Sequence, residues 1–102
     1  MAIKNTTLST TATAIYTSSG NSATTVMHFC NFTNSGATAN VWLVPSGSSA
    51  NSGTIIYSNV SLTAQNTLVV DTEKIIFANG DAIYANASAP NSVTATVSYI
   101  GI

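Results

Sequence analysis

Apolar and polar residues alternate along most of this chain, and no stretch carries the spacing of an amphipathic helix. The last segment is the clearest case: Val93, Ala95, Val97 and Tyr99 share one face, and Thr94, Thr96 and Ser98 the other. In residues 37–44, Ala37, Ala39, Val41 and Leu43 oppose Thr38, Asn40, Trp42 and Val44. A period of two places successive side chains on opposite sides of an extended backbone, so both segments read as half-buried strands. Residues 23–32 break the rule. Met27 and Phe29 lie on one face, while Val26, His28, Cys30 and Phe32 lie on the other, so both faces are apolar. Such a strand is either central in its sheet or covered by another subunit.

The same reading predicts strands at 12–17, 54–57, 67–71, 74–78 and 81–87, with the last strand at 93–102 and Leu62 in a connecting segment. Asn79-Gly80-Asp81 is a tight-turn signal, because Asn and Gly tolerate positive φ, and a hairpin is expected there. Pro90-Asn91-Ser92 and the small polar stretch from Pro45 to Gly53 are further breaks. About eight short strands punctuated in this way predict an all-β, single-domain antiparallel β-sandwich of jelly-roll-like character over residues 12–102. Residues 1–11, rich in Thr and Asn, are expected as an N-terminal arm ahead of it.

Composition narrows the function. Of 102 residues, 41 are Asn, Ser or Thr, and only Lys4, Lys74, Asp71, Glu73 and Asp81 carry charge. A soluble domain normally carries about a quarter charged residues. With two lysines and no arginine, the chain is not expected to bind nucleic acid, which demands many phosphate contacts. The longest strictly apolar run, Val41-Trp42-Leu43-Val44, is far too short to span a membrane. The N-terminus lacks the apolar core of a signal peptide, so synthesis in a cytoplasm is expected. The single cysteine, Cys30, cannot form an internal disulfide.

Candidate chemistry is sparse. His28 and Cys30 are two apart, so on a strand they face one way but lie roughly 7 Å apart. A nucleophile and its base need contact at about 3 Å, so no dyad and no enzyme is expected. One His and one Cys do not supply the three or four ligands of a zinc site, and no cofactor is expected. Asp71, Glu73 and Asp81 form an acidic region that a hard cation would suit, although a solvated turn is the simpler reading. Trp42, on the more polar face of its strand, combines area with a polar tip and suits an interface or a sugar.

The order of segments adds a resemblance. Residues 24–47 read TTVMHFCNFTNSGATANVWLVPSG, residues 61–70 SLTAQNTLVV, residues 76–87 IFANGDAIYANA and residues 92–100 SVTATVSYI. In element order over residues 12–102 the chain resembles small β-sandwich virion proteins of tailed bacteriophages, of the decoration or cement type. The resemblance implies a structural virion subunit that stabilises a head by covering contacts between capsomers, with a tail, neck or baseplate component as the alternative in that setting; Trp42 and the tyrosines leave a carbohydrate- or receptor-binding module as an alternative of a different class. It also implies the major capsid protein or other virion proteins as partners, and a homo-oligomer, with a trimer favoured. On that reading the contact residues are Ile3, Lys4, Asn5, Thr6, Thr7 and Leu8 of the arm, Trp42, and Tyr99, Ile100 and Ile102 at the C-terminus.

Overall fold

The computed structural model describes residues 2–70 and 75–102. Nine strands form in chain order: β1 Ala2–Thr7, β2 Thr13–Thr17, β3 Ser22–Asn31, β4 Ala37–Val44, β5 Ile55–Leu62, β6 Thr67–Val70, β7 Ile76–Phe77, β8 Ala82–Ala87 and β9 Val93–Gly101. They build two antiparallel sheets, one ordered β1-β9-β3-β6 with β7 also on β3, the other β2-β8-β4-β5. Pairing is nested: β4 meets β5, β3 meets β6 and β7, β2 meets β8, and β1 meets β9. A long hairpin folded at the β4–β5 connection and wrapped on itself gives this order, which is the jelly-roll form of a β-sandwich.

The alternation in the sequence sets which side chains fill the gap between the sheets. Met27 and Phe29 from β3, Ala95 and Val97 from β9, Val41 from β4 and Ile83 and Ala85 from β8 are all buried there. Met27 and Phe29 are the largest inward residues of β3, which lies between β9 and the β6/β7 edge, so the strand is central in its sheet. Its second apolar face, with Val26, His28 and Cys30 half-buried, points away from the core, and among the described residues no layer covers it.

Three expectations need correction. The segment expected as an arm forms a regular strand, β1, paired with β9 from Ala2↔Tyr99 to Thr7↔Thr94. Its alternation is faint because its inward positions, Ala2, Lys4 and Thr6, sit at the margin of the sandwich and cover no large side chain. Leu62 is not in a connection but ends β5, buried in the core. Bulges at Ala39/Val41 and Val41/Trp42, with Asn59 at φ 51, shift the period of β5 and hide its second half. Asn79-Gly80-Asp81 does form a turn, closed by Asp81 N–H donating to Ala78 O at 3.2 Å. It joins β7 of one sheet to β8 of the other, so it is not a hairpin. Gly80 has φ +89, and a Cβ there would lie 2.6 Å from Ser46 Oγ, so only glycine fits.

Buried polar groups hold the two ends of the sandwich. At one end the Tyr16 hydroxyl meets Ser22 Oγ at 2.5 Å and Ser18 Oγ meets Ser22 Oγ at 2.7 Å, inside the core. At the other end Asn31 closes β3: its Nδ2 donates to Ser35 O, Leu62 O and Thr63 O, and its Oδ1 accepts from the N–H and hydroxyl of Thr33. Pairing of β1 and β3 with β9 joins the outer sides of these strands into one face of the first sheet, and that positions the site described next.

Candidate interaction surface

Cross-strand register assembles a patch that no single strand shows. On the outer face of the first sheet, Ile100 of β9, Ala23 of β3 and Ile76 of β7 lie in one row, and Ile3, Ser98 and Val26 in the next. The third row is Asn5, Thr96, His28 and Val69, and the fourth is Thr7, Thr94, Cys30 and Thr67. Ile102 takes the next outward position after Ile100, with its N–H bonded to Asn21 O at 3.0 Å. Ile3 is 68% exposed and Ile76 73%, values far above those of core isoleucines, and Val69, Ile100 and Ile102 are exposed beside them. None of the described residues on this face carries a formal charge. Scattered exposed apolar residues are ordinary, but several on one face without a charge among its described residues make that face a candidate contact surface.

The expected contact residues divide. Ile3, Asn5, Thr7, Ile100 and Ile102 lie on this outer face, with the Thr96 hydroxyl donating to Asn5 Oδ1 at 2.9 Å. Lys4 and Thr6 point to the other side of β1. Leu8 is only 1% exposed, and its N–H donates to Val93 O at 2.8 Å. It is a core residue that pins the end of β1, and it offers a partner nothing. Tyr99 also turns inward, packing on Tyr16 with ring centroids 4.4 Å apart. Its place follows from the alternation of β9, which put it on the face of Val93 and Val97. Val69 and Ile76 are exposed residues of this face that sequence reasoning did not single out. Their outward alternation was visible, but their place on the same face as Ile3 and Ile100 depends on register between distant strands.

Trp42 sits on the outer face of the second sheet, half-buried, opposite Tyr84 on β8 and Ile55 on β5. The amides beside it are already engaged. Asn40 Nδ2 donates to Asn86 Oδ1 at 2.9 Å, Asn40 Oδ1 accepts Asn59 N–H at 2.7 Å, and Asn86 Nδ2 donates to Thr10 O at 3.2 Å. This aromatic strip therefore presents apolar area with its nearest amides turned to internal bonds.

His28 and Cys30 face the same way on β3, opposite Thr96 and Thr94 of β9. Among the described residues no group of three His, Cys, Asp or Glu side chains comes together. Asp71, Glu73 and Lys74 lie outside the described residues. The third acid, Asp81, is committed to the turn: its carboxylate accepts the N–H of Ser46 and of Ala78, each at 2.9 Å. These two bonds, that of Ser46 first, hold its pKa below the usual carboxylate value. A lowered folded pKa means that this stabilisation is complete above the ordinary carboxylate range and lost as pH falls through the lower folded value. Asp81→Asn keeps only one acceptor oxygen. Its Tm should lie below that of the wild type at neutral pH, and thermal melts should show the gap narrowing below about pH 4. A gap that stays constant on further acidification contradicts this role.

Two small concavities complete the surface. One of about 120 Å³ is lined by Val44, Pro45, Ile75, Phe77 and Asp81, and one of about 250 Å³ by Thr38, Ser61, Thr63 and Ser88. Neither gathers several titratable groups around one point, as an active site would. No described helix is long and apolar enough to cross a membrane. Compared with known protein families, with curated proteins and with solved structures, the chain matches none.

Proposed function

We propose that this chain is a structural subunit of a virion, a capsid decoration or cement protein that covers contacts between capsomers and works as one of many copies. The observation that carries this reading is the outer face of the first sheet, on which Ile3, Val69, Ile76, Ile100 and Ile102 stand exposed and no described residue carries a formal charge. A free monomer relies on surface charge to stay apart from its copies, and a chain with five charged residues in 102 has little of it. A subunit held among fixed neighbours gains instead from burying apolar and amide surface, and mass action across many interfaces then stabilises the whole. The jelly-roll sandwich suits that task, although the fold by itself implies no function. The partners are the major capsid protein or other virion proteins, together with copies of the chain itself, for which the resemblance implies a trimer.

A sugar-binding role is less well supported, because the amides flanking Trp42 and Tyr84 are bonded internally. Quantitative mass spectrometry of purified particles tests the proposal. Hundreds of copies per particle are expected for decoration. A small multiple of three, six or twelve moves the chain to the tail, neck or baseplate, and absence from particles overturns the virion reading.

A further inference from the structure

The two sheets end in four edges, and these are not alike. Exposed edges are normally blunted by bulges, shortness or charge, because their unpaired N–H and C=O groups recruit other strands. The β5 edge carries two bulges and Asn59 at positive φ. The β2 edge has a bulge between Ala14 and Tyr16. On the far side of β3, β6 is four residues long and β7 two. The β1 edge has no bulge and is not short: all six of its residues pair with β9 in one unbroken register, and its single charge, Lys4, lies on the inward side of the strand.

Which groups β1 offers can be read from its bonds. Leu8 N–H points to β9, donating to Val93 O, and in an antiparallel ladder the residues that face the partner strand alternate. Ala2, Lys4 and Thr6 therefore bond to β9, while Ile3, Asn5 and Thr7 direct N–H and C=O outward. A second copy related by a twofold axis through Asn5 pairs Ile3 with Thr7, Asn5 with Asn5, and Thr7 with Ile3. That register satisfies all six outward groups and sets Lys4 opposite Thr6. The neighbouring register, one step along, pairs only Ile3 with Asn5 and brings the two Lys4 side chains face to face, which is repulsive. The register centred on Asn5 thus makes the most hydrogen bonds while keeping the two Lys4 side chains off opposite positions, and the register centred on Thr6, which separates them further, pairs only Asn5 with Thr7; the edge is self-complementary, as an isologous contact requires.

The geometry points to β1 as a homotypic docking edge: two copies join antiparallel through Ile3–Thr7, merging their first sheets into one continuous sheet with a shared outer face. The contact is twofold, so it joins one trimer to the next rather than closing a trimer. A six-residue edge buries much less than the roughly 800 Å² per partner of a stable interface, so the pairing is weak in the free chain and takes hold where copies are held close. It rests on the assembly reading only for where it operates, and the purified chain tests it.

The test is cysteine trapping on a Cys30→Ser background at millimolar concentration under mild oxidant. Cα atoms of a hydrogen-bonded antiparallel pair lie about 5.5 Å apart, within disulfide reach. Asn5→Cys should therefore form a covalent dimer at least tenfold faster than Lys4→Cys, Ile3→Cys or Thr7→Cys, whose symmetry mates lie roughly 8 to 15 Å apart in this register. Asn5→Pro supplies the control. The Asn5 N–H is not used by β9, so proline should leave the folded sheet in place while removing the dimer seen by sedimentation at the same concentration. Equal trapping at all four positions, no trapped dimer for Asn5→Cys, or self-association unchanged in folded Asn5→Pro overturns the proposal. Each of these results leaves the copy number in particles, and so the virion reading, where it stood.

Discussion

Phe29→Ala should cost about 3–5 kcal/mol, a fall in Tm of roughly 15–30 °C for a domain of this size. Phe29 is fully buried on β3, between Ala95 of β9 and Leu68 of β6, and it is the largest of the fully buried side chains. Removing its ring leaves a cavity between two sheets whose backbones are fixed by ladder bonds, so the walls cannot close on it. A domain of this length is stable by about 5–15 kcal/mol, so this one change consumes much of the margin. The adjacent His28→Ala points to the outer face and should stay within about 0.5 kcal/mol. Chemical denaturation of the two variants measures the contrast directly. Comparable losses at both positions would contradict the register of β3.

Asn31→Asp should cost about 2–4 kcal/mol at neutral pH through a different mechanism, the exchange of a donor for an acceptor. The Asn31 amide is completely buried, and its Nδ2 lies 2.8 Å from Ser35 O, 3.0 Å from Leu62 O and 3.3 Å from Thr63 O. A carboxylate oxygen in that position faces three carbonyls without a proton to give. Burial among acceptors raises the pKa of such a group, so the ionised form carries the penalty, and the loss should shrink as pH falls through the carboxylate range. Asn31→Leu matches the volume but leaves the same carbonyls bare, so it too should lose about 2 kcal/mol or more, without the pH dependence. Urea titrations at neutral and acidic pH separate the two. An Asn31→Asp variant as stable as the wild type at neutral pH would show that this clamp does not hold the loops.

Both residues were partly legible in the sequence, and what was hidden is instructive. The face shared by Met27 and Phe29 follows from alternation alone, and so do the inward rows of β4 and β9. Asn31 fell inside the strand expected at 23–32 with nothing to mark it as a clamp, since its partners Leu62 and Thr63 are more than thirty positions away and no local pattern links them. The same limit hid the nested pairing, since β1 and β9 come from opposite ends of the chain. β1 itself escaped because an edge strand at the margin has almost no buried side chains to mark it. β5 escaped beyond Tyr57 because a bulge resets the period on which the reading depends.

The candidate surface shows the same division. The two-sided apolar character of β3 announced an outer face with something to cover, and the near absence of charge announced a chain suited to assembly. Register supplied the rest. It brought Ile3 from the first strand, Ile76 from the seventh and Ile100 from the last onto adjacent rows of one face. Leu8 leaves the contact set as a core residue, and Tyr99 leaves it by packing against the core on the inward face that the alternation of β9 assigns it.

A cryo-EM reconstruction of the particle that carries this chain tests the central claim most directly. The account predicts density for many copies, each with the outer face of the first sheet, marked by Ile3, Ile76 and Ile100, covered by another chain. Particles in which those three side chains face solvent while other surfaces make all the contacts would contradict it.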